Sequence, residues 1–132
     1  MITITEENQF KQLKNCVTIK GSLTFENFNY TNLSFPNLLD IKGYLIIGNV
    51  ANLTSVKQLL PNLVHIHGES PHNESLVIRN NTDLEKLDFK KLMKISRGDV
   101  EISGNPRLCL SDTISWSKTQ KLMRPLEKYI QV

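Results

Sequence analysis

Residues 35–47 read Phe-Pro-Asn-Leu-Leu-Asp-Ile-Lys-Gly-Tyr-Leu-Ile-Ile, and the first nine of them return at residues 60–68 as Leu-Pro-Asn-Leu-Val-His-Ile-His-Gly. Fainter copies flank this pair: Cys16-Val-Thr-Ile-Lys-Gly before it and Leu92-Met-Lys-Ile-Ser-Arg-Gly after it. The four closing glycines, Gly21, Gly43, Gly68 and Gly98, stand 22, 25 and 30 residues apart. A unit repeated at that pitch cannot bury its apolar face alone. Stacking the units into a solenoid gives them one continuous core.

The apolar spacing within each copy predicts its local form. A residue at the leucine position is followed three later by isoleucine, and then comes strict alternation: Ile19, Gly21, Leu23, Phe25 in the first copy and Ile41, Gly43, Leu45, Ile47 in the second. Period two means strands with one buried face. In the third copy, seven residues, Glu-Ser-Pro-His-Asn-Glu-Ser, separate Gly68 from Leu76, which predicts a protruding loop. The fourth copy has one extra residue between Ile95 and Gly98, which predicts a bulge or widened turn. The glycines serve either a positive φ or the close approach of stacked backbones. Asn49, Asn80, Asn81 and Asn105 follow the strands, where asparagine can close each coil's corner. Segments such as 55–60 and 84–92 complete the turns as short helical or extended pieces.

The expected fold is a parallel β-helix, a single domain over residues 1–132 with a repeat core at about 13–110. Thr5 with Glu6 and Glu7 predicts an N-terminal cap helix over about 6–14, docked by Phe10 and Leu13. Ser111 or Asp112 predicts a C-terminal helical cap over about 111–130, anchored by Trp116 and interrupted at Pro125.

Charge excludes some roles. A net +3 from sixteen basic and thirteen acidic residues, with no run of five or more like charges, is not the stripe of a nucleic-acid binder. Apolar runs of a few residues fall far short of the roughly 20 needed for a membrane-spanning helix. Asn-x-Ser/Thr sequons occur at Asn29, Asn32, Asn52, Asn73 and Asn80, where chance would place about two. They point to a glycosylated, extracellular or cell-surface protein. The opening Met-Ile-Thr-Ile-Thr-Glu-Glu-Asn has neither the basic nor the apolar region of a signal peptide, so a fragment of a longer secreted chain is expected. The alternative is a cytosolic or structural leucine-rich-like repeat, encouraged by Leu84-x-x-Leu87-x-Phe89.

Chemistry-bearing clusters are sparse. Asp40 and Asp99 occupy different strand positions and make no acid/base pair, and there is no nucleophile elbow or phosphate loop, so no enzyme and no cofactor is expected. His65 and His67 stand i, i+2 on a strand, with His72 in the following loop. No carboxylate or thiol completes a recognisable metal site, so no metal is expected and the histidines are read as solvated. Cys16 lies in the first coil and Cys109 in the last, three coil spacings or roughly 14 Å apart. That is about twice a disulfide's reach, so they do not pair with each other. Each can instead be a small buried hydrophobe.

The alternation also defines an outward face. With Leu23, Leu45, Ile47, Leu76, Ile78, Val100 and Ile102 inward, Thr24, Tyr44, Ile46, Val77, Arg79 and Glu101 point outward. Tyr44, Ile46 and Val77 make an apolar patch rimmed by Arg79, Asp99 and Glu101. An apolar centre with a polar rim is the anatomy of a protein interface, here for a protein or peptide partner.

The string Asn15-Cys-Val-Thr-Ile-Lys-Gly-Ser-Leu, the two Pro-Asn-Leu-x-x-Ile-x-Gly copies, Ile95-Ser-Arg-Gly-Asp-Val-Glu-Ile and Asn105-Pro-Arg-Leu-Cys-Leu-Ser-Asp-Thr-Ile-Ser-Trp together resemble the receptor L domains of the insulin and epidermal growth factor receptors. The likeness is greatest to the first L domain of insulin-type receptors, and extends to nematode receptor-like modules. It implies a right-handed β-helix capped by helices and used outside the cell for ligand binding or dimerisation with a second receptor chain. It further implies that Cys16 pairs upstream and Cys109 downstream, with partners outside this chain. In insulin-type receptors the corresponding sheet takes the hormone. Gly48 and Arg79 stand where those receptors carry outward aromatics, so two large anchors are missing here.

Overall fold

The computed structural model describes residues 2–4, 13–68, 70–89, 91–92, 94–109 and 130–131. Ten short strands and one helical turn wind into a parallel solenoid of about four coils. Each coil contributes a two-residue strand to one sheet and a longer strand to another. The four-stranded sheet runs β2 (Thr18–Ile19), β4 (Asp40–Ile41), β6 (His65–Ile66), β8 (Lys94–Ile95). The six-stranded sheet runs β1 (Ile2–Ile4), β3 (Leu23–Asn29), β5 (Leu45–Ala51), β7 (Glu74–Arg79), β9 (Asp99–Ser103), β10 (Ile130–Gln131).

Register follows the repeat. Ile19, Ile41, Ile66 and Ile95 pair in one row. Leu23, Leu45, Leu76 and Val100 form a second, and Phe25, Ile47, Ile78 and Ile102 a third. All twelve are buried, at 3 % exposure or less. Burying a side chain of this size is worth about 1.5–3 kcal/mol against leaving it in water, so these rows carry the stack. Leu38, Leu63 and Leu92 fill the leucine position of their coils, and Leu53, Leu84 and Leu108 close the core after each long strand. Cys16, at the leucine position of the first coil, is only half-buried.

The corners are built in two ways. At Gly43 and Gly68 the stacked backbones touch: Gly43 N–H donates to Gly21 O and Gly68 N–H to Gly43 O, each at 2.9 Å. A Cβ on Gly68 would lie 2.7 Å from Gly43 Cα, so close approach explains these two glycines. At the far end of the long strands, Asn27, Asn49, Asn80 and Gly104 occupy equivalent places with φ of 60, 53, 58 and 68°, a left-handed column that redirects the chain. The residues after them, Phe28, Val50, Asn81 and Asn105, turn inward. Asn81 and Asn105 are fully buried and satisfy each other and the backbone. Asn105 Oδ1 accepts from Asn81 N (3.0 Å) and Nδ2 (3.1 Å), while Asn105 Nδ2 donates to Ile78 O and Ser103 O, both at 3.0 Å.

The long third insertion closes on itself through Ser70, whose hydroxyl accepts from His72 N and Glu74 N at 3.2 Å. A separate irregularity lies in β7, whose register against β9 shifts between Glu74 and Leu76, while the fourth copy passes from Ile95 to β9 through a bend at residues 97–98. The turn at Gly98 is left-handed, with φ 73°. Segment 55–60 holds α1 (Val56–Leu59), capped by Ser55 and by Gln58 reaching back to the Thr54 and Ser55 amides at 3.2 Å.

Two edge strands were not visible in the repeat grammar. β1 pairs Ile2 with Leu23, and β10 pairs Ile130 with Ile102, where the C-terminal cap expected over 111–130 was to end. Leu13 and Ile2 pack against the core. Most of the expected N-terminal helix, and the C-terminal cap with Trp116, lie outside the described residues. Cys16 and Cys109 belong to the first and last coils and are not joined. Among the described residues no helix is long and apolar enough to cross a membrane.

Candidate functional site

The outward residues of the six-stranded sheet form rows as regular as those of the core. Thr24, Ile46, Val77 and Glu101 pair in register across β3, β5, β7 and β9, and Glu26, Gly48, Arg79 and Ser103 make the next row. Because strands alternate faces, neither row joins the hydrophobic core cluster.

Their accessibility differs from the sequence expectation. Val77 is 1 % exposed and Thr24 5 % exposed, so neither is part of an open apolar patch. Val77 sits in a central strand, hemmed by its in-register neighbours Ile46 and Glu101. The Thr24 hydroxyl is buried and has no hydrogen-bond partner among the described residues. Tyr44 and Ile46 are half-buried, and Arg79 is exposed. The aliphatic stem of Arg79 lies across Gly48: a Cβ there would rest 3.7 Å from Arg79 Cγ, so the absent side chain leaves room that the arginine uses. Among the described residues, the exposed large apolar ones, Val17 and Leu39, lie instead beside the four-stranded sheet.

The charged side of this face is a network. Arg79 Nη1 lies 3.9 Å from Glu101 Oε2, which also accepts from Ser103 Oγ at 3.3 Å. Glu74 stands beside Glu101, and its pKa is raised above the ordinary 4.5 by burial, then by the hydrogen bond and repulsion from Glu101, against the pull of Arg79. Glu74 therefore joins a site in which the sequence picked out only Arg79, Asp99 and Glu101. Its place is two residues before Leu76, but the β7 irregularity hides it from simple alternation.

A second cluster lies on the four-stranded sheet. Asp40 and His65 are direct cross-strand partners, and His67 Nε2 reaches Asp40 Oδ1 at 3.2 Å. The rings of His65 and His67 stack with centroids 3.4 Å apart, and Ser96 Oγ bonds His65 Nε2. Burial, then His67, Lys94 and Lys42, hold the His65 pKa below 6.5 against the opposing effect of Asp40. The carboxylate that the local sequence did not supply thus comes from the neighbouring coil. The signal was present in the aligned repeat, where Leu-Asp-Ile-Lys-Gly lies over Val-His-Ile-His-Gly. A cavity of about 350 Å³ lies elsewhere, at the α1 corner between Thr54, Gln58, Lys86 and Asp88.

The profile of the Receptor L domain family matches residues 2–120. The chain is 38 % identical over 117 residues to the insulin-like peptide receptor of Branchiostoma lanceolatum, covering 83 % of this chain and 9 % of that protein. It shares the same identity and coverage with the insulin-like growth factor 1 receptor of Xenopus laevis. It is 39 % identical over 113 residues to the insulin-like receptor of Drosophila melanogaster, covering 83 % of this chain and 5 % of that protein. The chain thus spans a tenth or less of the length of these relatives. With the solenoid, the register and the profile in agreement, the chain belongs to the receptor L domain family.

Proposed function

We propose that this chain is a non-catalytic, extracellular ligand-binding module that takes a protein or peptide partner on the outward face of its six-stranded sheet. The observation that carries the reading is the row Thr24–Ile46–Val77–Glu101, in register across four strands, with Tyr44 beside it and Arg79 at its rim. Ile46 and Tyr44 supply apolar contact, and Arg79 and Glu101 supply charge, whereas the buried Thr24 supports the row from within. Buried Val77 supports Ile46 from the next strand and is not itself a contact. The relatives are receptors named for insulin-like peptides and growth factor, which makes a small folded peptide hormone the first partner to test. The five sequon asparagines, all exposed, support residence outside the cell. Cys16 and Cys109 then pair with cysteines beyond this chain, as extracellular cysteines commonly do.

Surface plasmon resonance with an immobilised insulin-like peptide tests the reading. Ile46→Asp and Arg79→Glu should each weaken binding about thirtyfold or more, as interface hot spots do, while circular dichroism stays unchanged. Val77→Lys is unsuitable, since a lysine at a 1 % exposed position threatens the fold itself. Capture that survives both substitutions removes this face from the function.

A further inference from the structure

We propose that Asp40, His65 and His67 form a binding site for a divalent transition-metal ion of the zinc class. These three residues each offer a ligand atom, and all the atoms lie within 4.8 Å of one another. Metal–nitrogen and metal–oxygen bonds of about 2.0–2.2 Å in a tetrahedron place neighbouring ligand atoms roughly 3.3–3.5 Å apart. The 3.2 Å between His67 Nε2 and Asp40 Oδ1 is close to such an edge.

The backbone fixes this placement. Asp40 and His65 are paired in register on adjacent parallel strands, and His67 follows His65 on the same side of the chain, two residues on. All three are half-buried, open enough for an ion to enter and packed enough to lose few rotamers on binding it. Ser96 Oγ holds the His65 ring from the next coil, the kind of outer contact that orients a ligating imidazole. Two imidazoles with one carboxylate select zinc, copper or nickel over calcium and magnesium, which prefer oxygen throughout. Asp40 also supplies the negative charge that offsets Lys42 and Lys94, the cations acting on His65. Three protein ligands leave at least one coordination position open to water or to a side chain from another molecule. The site lies on the four-stranded sheet, apart from the face assigned above to the peptide partner, and does not depend on that assignment.

Zinc titrated into the tag-free 132-residue chain by isothermal calorimetry should saturate at one ion per chain. His65→Gln, His67→Gln and Asp40→Asn should each reduce affinity about tenfold or more, with His72→Gln unchanged as the control. Zinc should also raise the melting temperature of the parent chain and not that of His67→Gln, because an ion that binds only the folded state stabilises it. X-ray absorption should show nitrogen and oxygen ligands. Absence of saturable uptake, uptake that persists in both histidine variants, or sulfur in the coordination shell from Cys16 or Cys109 would overturn the assignment.

Discussion

At the scale of single residues, the buried asparagines bear the most stringent demands. Asn105 makes four hydrogen bonds with no exposed surface, three of them to the equally buried Asn81 and Ile78. Asn105→Leu preserves volume and apolarity, yet it strands the Asn81 amides and the Ile78 carbonyl. Leaving a buried polar group unsatisfied costs about 1–3 kcal/mol. A loss of about 2–4 kcal/mol is therefore expected, read as a lower urea midpoint at unchanged slope. The Asn-rich turns were visible in the sequence, but their division of labour was not. Asn80 and Asn81 are neighbours of one type, and only the backbone assigns the first to left-handed geometry and the second to the core. Val77 shows the same limit: alternation gives the side a residue faces, whereas burial depends on what flanks it across strands.

At the scale of elements, register between strands does the work that local propensity cannot. Strands of two residues, such as β4 and β6, would not persist alone; they exist because each is paired on both sides. Across β7 and β9, burial and then the hydrogen bond and repulsion from Glu101 raise the Glu74 pKa, so a proton stays on Glu74 to higher pH than usual. The folded state holds that proton more tightly than the unfolded chain. The resulting stability is present at and below the ordinary pKa of 4.5 and is lost as pH rises through the raised folded value. Glu74→Gln keeps the neutral form, so its stability relative to the parent should improve between pH 4.5 and about 7, as measured by urea midpoints at both. Parallel pH dependences in the two proteins would mean that the pair is not coupled. The inner strands were legible because the repeat wrote them four times. β1 and β10 were not, since they close the sheet at its edges with sequence that repeats nothing.

At the scale of the molecule, the stack behaves as a one-dimensional array in which each coil touches mainly its neighbours. Rows of like residues run through all four coils, and the two sheets present separate surfaces over one thin core. A protein so built can devote its faces to different partners without altering its interior. The left-handed corner of each long strand brings a further consequence. Asn29 ends β3, Asn52 follows β5 and Asn80 follows β7, so three of the five sequons lie along a single border of the six-stranded sheet, with Asn73 at the opposite end of β7. Sugars carried there would stand as a hedge on that border. A visitor would then meet fewer sugars on the glycine-lined side, where Asn73 stands alone. Trimming the oligosaccharides should quicken its association and leave its residence time unaltered.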